Sequence, residues 1–378
     1  MRGGRHKLVV VMVGAGLALA GALAVVLASA ATPSHAGTRA PQVVASFPRP
    51  LLGFAADRGR IAWALAPCGS LVAIGNLSGG RTWKIKDQNA ECAGGAPGFG
   101  FLAIALGGSR AVWSTWASAD FYYTSLETGV VGGRAKTAVG ETGGFDSCSG
   151  GDLVQALAAD EQIAAYSYVN FNGDSDNCTW SSVSGGVYSV APNRKIPGIP
   201  PAYALAVGDG FIAAIPVDPN PANNRLDLPG WAEPVYVYNS RTHSTQTVAV
   251  SGIARGVAVS RSVLAVIVKS PGRKVIERFQ TRNGALLGTT PVPSTFDPSA
   301  LSVSGKRIVY STRRRIWLLD GVSGKRTLVT TTATPPIGLS IEGKRVYWAE
   351  NRGSRTYRGA RCRRVCSSRG SILALTLP

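Results

Sequence analysis

One phrase of ten residues occurs twice near the carboxyl end of the chain. It reads SVSGKRIVYS at residues 302–311 and SIEGKRVYWA at residues 340–349, so the two copies lie 38 residues apart. In each copy a turn that contains Gly separates two runs in which apolar and polar residues alternate. Alternation of period two on both sides of such a turn is typical of a β-hairpin. The phrase therefore predicts a hairpin that the chain uses more than once.

The residues around the first copy extend this hairpin to four strands. Residues 301–303 and 307–310 are the two runs of the phrase, and residues 315–319 and 326–330 follow as two further β-rich runs. The last two runs are separated by the turn DGVSG at residues 320–324. Short strands joined by Gly-containing turns favour an antiparallel meander.

The turn and second strand of this meander recur along the whole chain. The aligned strands end at Trp63, Trp113, Tyr166, Ala214, Val266, Tyr310 and Trp348, with spacings of 50, 53, 48, 52, 44 and 38 residues. A period of about 40–50 residues with four strands per unit indicates the blades of a β-propeller. Radial stacking buries both faces of units that could not bury them alone.

The two ends of the chain predict how the ring closes. The last unit supplies only three strands, at residues 337–341, 345–349 and 371–377, while QVVASF at residues 42–47 is similar to the fourth strands of other units. We therefore expect an all-β, seven-bladed propeller of four-stranded antiparallel blades. Its last blade would be completed by the N-terminal strand.

The architecture resembles that of exported bacterial β-propellers of the TolB-like and YWTD-like type. The tetrapeptide at residues 347–350, Tyr-Trp-Ala-Glu, is similar to the YWTD motif in its first two positions only. No Trp-Asp dipeptide occurs, so the pattern of WD repeats is absent. The resemblance implies a fold and transfers no functional residue, because one fold hosts many functions.

The first 36 residues read as a secretory signal peptide, and residues 37–378 as a single propeller domain. Arg2, Arg5 and Lys7 precede a stretch, residues 8–38, without any Asp, Glu, Lys or Arg. Small residues at two sites resemble those that signal peptidase cleaves. The stretch is also long enough to span a bilayer. We expect a secreted or extracytoplasmic protein. The alternative is a protein that this segment anchors in the membrane.

Six cysteines lie in the predicted domain, an even number that suits disulfides in an exported protein. They are Cys68, Cys92, Cys148, Cys178, Cys362 and Cys366. Sequence alone permits 15 pairings. All six fall in predicted connections between second and third strands or between blades, which share one face of a propeller. On that basis the pairs Cys68–Cys92, Cys148–Cys178 and Cys362–Cys366 are predicted.

The same face carries the strongest concentration of positive charge. The chain has 40 Lys and Arg against 21 Asp and Glu, and residues 299–378 hold sixteen of the former against three acids. The predicted ligand-binding residues belong to the loop after residue 350 and are Arg352, Arg355, Tyr357, Arg358, Arg361, Arg363 and Arg364. Arginine forks suit phosphate and carboxylate groups. A solvated, arginine-rich loop without a ligand is the alternative interpretation.

A weak calcium candidate lies in NFNGDSDNCT at residues 170–179. Asn170, Asn172, Asp174 and Asp176 alternate there, and hard oxygen ligands suit Ca²⁺. The Gly is misplaced for an EF-hand and no Glu follows at the twelfth position. An ordinary turn rich in Asn and Asp is therefore favoured.

Catalytic motifs are scarce. The sequence has no GxSxG, P-loop or HExxH motif, and His243 is placed on a polar turn without triad partners. Asp152, Glu141 and Asp146 are the acids that a glycan hydrolase or lyase could use, since such chemistry needs two carboxylates. Solvated surface charges explain them more simply. No catalytic residue, metal or cofactor is assigned.

The sequence thus favours a non-enzymatic, exported, monomeric propeller that binds through one disulfide-stapled, partly basic face. A protein or an anionic cell-envelope polymer would be the partner, with contact to a membrane surface also open and nucleic acid not expected. The alternatives are a carboxylate-dependent glycan hydrolase or lyase on the same face, and a structural domain of an envelope complex.

Overall fold

The computed structural model describes residues 40–66, 71–87, 99–118, 122–140, 142–143, 150–174, 179–218, 234–293, 301–352 and 369–378. These residues form 28 strands in seven four-stranded antiparallel sheets, and they contain no helix. No helix among them is therefore able to cross a membrane. The predicted signal peptide, residues 1–36, lies outside the described residues.

Each sheet is one blade, in which strands a, b, c and d follow one another along the chain. The first four blades are β2 Leu51–Asp57, β3 Arg60–Leu65, β4 Leu71–Asn76 and β5 Thr82–Asp87; β6 Phe99–Gly107, β7 Arg110–Ser118, β8 Tyr122–Val130 and β9 Lys136–Val139; β10 Gly150–Ala159, β11 Ala164–Asp174, β12 Thr179–Val190 and β13 Asn193–Lys195; β14 Ala202–Gly208, β15 Phe211–Pro216, β16 Val235–Asn239 and β17 Ser244–Val248.

The last three blades complete the ring. They are β18 Ile253–Val259, β19 Val263–Ser270, β20 Arg273–Gln280 and β21 Leu286–Val292; β22 Leu301–Ser304, β23 Arg307–Thr312, β24 Arg315–Asp320 and β25 Arg326–Thr331; and β26 Leu339–Glu342, β27 Arg345–Arg352 and β28 Arg369–Thr376 with β1 Gln42–Phe47. The predicted seven-bladed propeller of four-stranded antiparallel blades is confirmed.

The N-terminal strand is the outermost strand of blade 7, as predicted. β1 pairs antiparallel with β28, and its partners run from Gln42 opposite Ala374 to Phe47 opposite Gly370. The ring of Phe47 also meets that of Trp63 in blade 1, with centroids 5.2 Å apart. The last blade therefore combines the two ends of the described chain, which closes the ring.

The core lies between blades rather than within them. In β3, Ile61, Trp63 and Leu65 pack with residues of blade 7, whereas Ala62 and Ala64 pack with residues of blade 2. Successive side chains of a strand point to opposite faces of the sheet. Each strand b therefore supplies two neighbouring interfaces, which explains its nearly continuous burial.

The residue that ends the recurring second strand, such as Trp113 or Trp348, has the same structural role in every blade. In every blade this residue packs in the cluster shared with the preceding blade. Trp113, for example, contacts the cluster of blade 1, and Trp348 contacts that of blade 6. Both side chains are at most 1% exposed. The spacing that predicted the blades thus follows the residue that fills each blade-to-blade interface.

Candidate functional site

The two faces of the propeller differ in the length of their connections. The a–b and c–d turns, which define the turn face, contain at most five residues each. The b–c and d–a connections define the loop face, and four of them are much longer. These are residues 217–234, 353–368, 88–98 and 140–149, with 18, 16, 11 and 10 residues respectively. Long connections on a rigid scaffold are where binding residues usually lie.

Of the predicted ligand-binding residues, only Arg352 lies in the described part of the chain. It ends β27, is exposed, and places Nε 3.7 Å from Oε2 of Glu350. Glu350 is only 1% exposed and accepts a hydrogen bond of 2.8 Å from Nε1 of Trp348. The residues that lie outside the described part are Arg355, Tyr357, Arg358, Arg361, Arg363 and Arg364.

All six cysteines, and hence the predicted disulfides, also fall outside the described residues. The predicted calcium loop is partly a strand, because β11 continues to Asp174 and leaves only residues 175–178 as the connection. Asn172 donates through Nδ2 to Oγ of Ser182 in the neighbouring strand, at 3.0 Å. The side chains of Asp174 and Asp176 lie outside the described part. Among described residues, no group of three acidic, His or Cys side chains could hold a metal.

Asp152, the one described acid of the enzymatic alternative, lies within an inner strand rather than in a loop. It stands opposite Asn170 in the β10–β11 pairing, and its Oδ1 accepts a hydrogen bond from Nδ2 of Asn170. Burial, and then the hydrogen bond to the Asp152 carboxylate, raises the pKa of Tyr168. Asp152 is thus bonded to two neighbours of its own sheet. Glu141 and Asp146 lie outside the described residues.

The central channel is lined mainly by apolar side chains of strand a. A cavity of about 260 Å³ is bounded there by residues of all seven blades, including Phe54, Ile104, Leu205 and Leu339. The two mouths of the channel differ in the side chains around them. At each mouth, these side chains come from corresponding positions of successive blades.

At the loop-face mouth, five innermost strands carry a register shift at the same place. The unpaired residue lies five positions before the strand-a residue that closes the a–b hairpin. The unpaired residues are Leu52, Leu102, Gln155, Tyr203 and Arg255. A bulge re-aims a side chain and is over-represented at the rims of barrels and near active sites. Arg255 is notable because its Nη1 is buried and has no hydrogen-bond partner among the described residues.

At the turn-face mouth, acidic side chains surround a cavity of about 380 Å³. Its charged lining consists of Asp57, Arg58, Asp160, Glu161, Asp209 and Glu342. This cluster was not predicted from the sequence, because its acids belong to different repeats and come together only in the closed ring. The available signal was an acid at the start of the a–b turn in several repeats.

These acids connect neighbouring blades. In six of the seven junctions, a side chain of one a–b turn bonds to the backbone of the next a–b turn. The bonds join Asp57 to the N–H of Gly108, Asp160 to that of Gly210, Asp209 to that of Arg261, Ser260 to the carbonyl of Gly305, Ser304 to the N–H of Gly343, and Glu342 to that of Gly59, at 2.6–3.1 Å. The acidic mouth is therefore accounted for by ring closure.

The junction between blades 2 and 3 uses backbone contact instead. Gly107 occupies the hairpin position that Asp57, Ser304 and Glu342 occupy in their blades, and a Cβ there would lie 1.9 Å from the carbonyl oxygen of Asp160. Arg58 and Glu161 bridge over this junction from blades 1 and 3, with a nitrogen–oxygen distance of 2.7 Å. Since both are well exposed, this ion pair adds little stability.

Burial, with a smaller contribution from neighbouring acids, raises the pKa of two carboxyl groups at this mouth. Burial raises the pKa of Asp57 above its ordinary 3.8, against the effect of the Gly108 amide, and Asp160 adds repulsion. Burial likewise raises the pKa of Glu342 above its ordinary 4.5, against the Gly59 amide, and Asp57 adds to it. A carboxyl whose pKa is raised by folding stabilises the fold below its ordinary pKa, and this contribution is lost as the pH rises through the raised value.

We predict that Asp57→Asn becomes more stable relative to the parent protein as the pH rises from about 3 to about 7. The amide oxygen can still accept from Gly108, while the charge disfavoured by burial is gone. Asp57→Ala is the control, and it should lose about 1 kcal/mol because the bond itself is removed. Denaturant unfolding over this pH range measures both. A relative loss of stability by Asp57→Asn with rising pH would contradict the prediction.

Comparisons with known proteins place the chain by fold alone. No protein-family model and no curated protein matches the sequence. Solved structures do match it. An acylaminoacyl peptidase in complex with Z-Gly-Gly-Phe-chloromethyl ketone is 10% identical with a TM-score of 0.51, and the uncomplexed enzyme from Pyrococcus horikoshii is 10% identical with a TM-score of 0.50. Each match covers 80% of this chain and 49% of the peptidase.

A third match is the β-propeller domain of the Trilobed protease from Pyrococcus furiosus. It is 8% identical, with a TM-score of 0.49, and the match covers 80% of this chain and 89% of that domain. The chain spans about half the length of the acylaminoacyl peptidases that it matches. At these identities the likeness shows the fold and no activity. The chain is a seven-bladed β-propeller.

Proposed function

We propose that this chain is an exported, non-catalytic binding propeller that recognises an anionic partner through its loop face. The observation that carries the proposal is the asymmetry of the connections, since connections of 10 to 18 residues occur on the loop face alone. On the turn face, the acids at the channel mouth form blade-to-blade bonds. A rigid ring with long connections on one side is suited to presenting a recognition surface.

Arg255 supports an anion as the ligand. Its Nη1 is buried at the loop-face end of strand a and has no hydrogen-bond partner among the described residues. An unpaired buried donor destabilises a protein, and an anionic oxygen would satisfy it well. The guanidinium would therefore contribute to binding from the channel mouth.

The arginines of the loop at residues 353–368 favour a partner with repeated anionic groups. Five arginines occur there, with no acid. Planar guanidinium groups bind phosphate and carboxylate oxygens in pairs. For an exported protein this chemistry fits phosphate-rich or uronate-rich envelope polymers. The cysteine pairs predicted above would hold these loops in place, and kinship with TolB-like and YWTD-like propellers is part of the same proposal.

The test is the shift in melting temperature of the mature protein in the presence of a teichoic acid and a polyuronate, each at low and high salt. A ligand that binds only the folded protein raises the melting temperature. We expect a rise that salt diminishes. Arg255→Met and a variant with serines at Arg355, Arg358, Arg361, Arg363 and Arg364 should each reduce it, and prior reduction of the cysteines should do so too.

Arg241→Ser is the matched control, because Arg241 is an exposed arginine of the turn face. It should leave the polymer-induced rise unchanged. No rise with either polymer, or an equal loss in the control, would overturn the proposal. Release of oligosaccharides from either polymer would instead favour the hydrolase or lyase alternative, and Asp152→Asn would then be the variant to examine.

A further inference from the structure

A second basic site lies on the turn face, in a cleft between blades 5 and 6. The cleft has a volume of about 400 Å³, which is within the range of small-molecule sites. Its lining comes from the a–b and c–d turns of both blades, from the end of strand β20 and from strand β21. The lining residues are Arg261, Ser262, Gln280, Arg282, Leu287, Lys306 and Val322.

Three cations converge on this cleft. Arg261, Arg282 and Lys306 are all exposed, and none forms an ion pair with another described residue. The lining contains no acid. Like charges brought together in this way create a positive potential that attracts an anion.

Two acids of the adjoining turns, Asp209 and Asp320, accept hydrogen bonds from backbone N–H groups. Oδ2 of Asp209 accepts the backbone N–H of Arg261 at 3.0 Å, and Oδ1 of Asp320 accepts those of Val322 and Ser323 at 3.1 and 2.7 Å. Burial acts to raise the pKa of Asp320, but the bonds from Ser323 and Val322 outweigh it and hold the pKa below its ordinary value. The Asp320 carboxylate attracts Lys306, but no ion pair forms between these two residues.

A buried fourth cation holds one wall of the cleft in place. Arg278 is only 4% exposed, and its Nη1 donates to the carbonyl oxygens of Asp320, Gly321 and Val322 at 3.3, 3.2 and 3.1 Å. These carbonyls belong to the turn that carries Val322. The wall is therefore fixed before a ligand arrives, and the charge of Arg278 adds to the positive potential behind it.

The corresponding positions of the neighbouring junction lack this combination. Between blades 4 and 5, Asp209, Arg241 and Ser262 stand where Arg261, Arg282 and Lys306 stand in the next repeat. That junction thus has one cation and one anion. The basic cleft is a property of a single junction and not a consequence of the repeat.

We infer that this cleft binds a phosphate group attached to an apolar body. The three cations suit the phosphate oxygens, since charged donors make the stronger hydrogen bonds. Leu287 and Val322 supply apolar contact beside them, and Val322 is 47% exposed without a ligand. The phosphate could belong to a soluble organic phosphate or to a lipid headgroup, and the two sources share this chemistry.

The test is titration of the mature protein with hexyl phosphate, inorganic phosphate and hexanol by calorimetry. Hexyl phosphate should bind most tightly, because it alone uses both the cations and the apolar wall. Arg261→Ser and Arg282→Ser should each weaken it about tenfold or more, as expected for the loss of a hydrogen bond between charged groups. Each side chain is exposed, so the variants should melt with the parent protein.

Arg241→Ser is again the matched control and should leave the affinity for hexyl phosphate unchanged. Sedimentation with vesicles of phosphatidylcholine and phosphatidylglycerol separates the two sources. Co-sedimentation that Arg282→Ser abolishes would assign the cleft to a lipid headgroup, and hexyl phosphate binding without it would assign a soluble phosphate. Absence of both, or an equal effect of Arg241→Ser, would overturn the inference. The loop-face serine variant should bind hexyl phosphate normally, which keeps this result independent of the proposed function.

Discussion

Removal of β1, residues 42–47, is expected to lower the melting temperature of the mature protein by about 10 °C or more. The deletion leaves β28 without its outer partner and takes the ring of Phe47 away from Trp63. Loss of about five ladder hydrogen bonds at about 1 kcal/mol each gives a destabilisation of about 5 kcal/mol. The unpaired edge of β28 should also promote association between molecules.

Two controls separate ring closure from simple shortening of the chain. A protein that begins at residue 41 retains β1 and should melt with the mature protein. Val43→Ser changes a side chain of β1 that is 54% exposed and should also have little effect. A synthetic peptide of residues 42–47, added to the shortened protein, should raise its melting temperature in proportion to the logarithm of peptide concentration. If the shortened protein melts no earlier than its parent, β1 does not stabilise the closed ring.

Trp113→Ala is expected to destabilise the protein by about 3–5 kcal/mol, the usual cost of truncating a buried Trp. Trp113 is 0% exposed and packs against Ala62, Ala64, Val72 and Ile74 across the junction of blades 1 and 2. These neighbours belong to paired strands of blade 1, so they cannot move far enough to fill the space. The cavity would lie between two blades, so we expect the variant to unfold at lower denaturant concentration without a change of fold.

Trp113→Phe and Trp83→Ala are the comparisons that make this result specific. Nε1 of Trp113 is buried and has no hydrogen-bond partner among the described residues, so Trp113→Phe removes an unsatisfied donor along with part of the ring. It should therefore cost clearly less than Trp113→Ala. Trp83 lies in β5, the outermost strand of blade 1, and its ring centroid is 5.6 Å from Cζ of Arg81. Trp83→Ala should therefore destabilise the protein by about 1 kcal/mol or less. Equal costs for all three would contradict the assigned role of Trp113.

The strands and their order were predictable because the relevant forces act locally or repeat. Gly-containing turns and alternating residues define hairpins, and the position of Trp113 and Trp348 recurs since each blade must fill the interface with the one before it. β1 was predicted with its observed bounds, Gln42–Phe47, because residues 42–47 resemble the fourth strands that the last blade lacks. In contrast, the strand at Asp174 was mistaken for a loop, since Asn and Asp residues in an exposed hairpin resemble a turn.

Periodicity in the chain was sufficient to establish seven blades, their strand order and the closure of the ring, because each depends on residues close in sequence or on their recurrence. The bonds between a–b turns, the unpaired Nη1 of Arg255 and the cleft formed by Arg261, Arg282 and Lys306 became visible only with the blades in place. Arg261 and Lys306 are 45 residues apart in the chain and belong to different blades. Their convergence depends on how neighbouring blades pack, which is decided by the apolar interfaces between them and not by the turns that carry the charges.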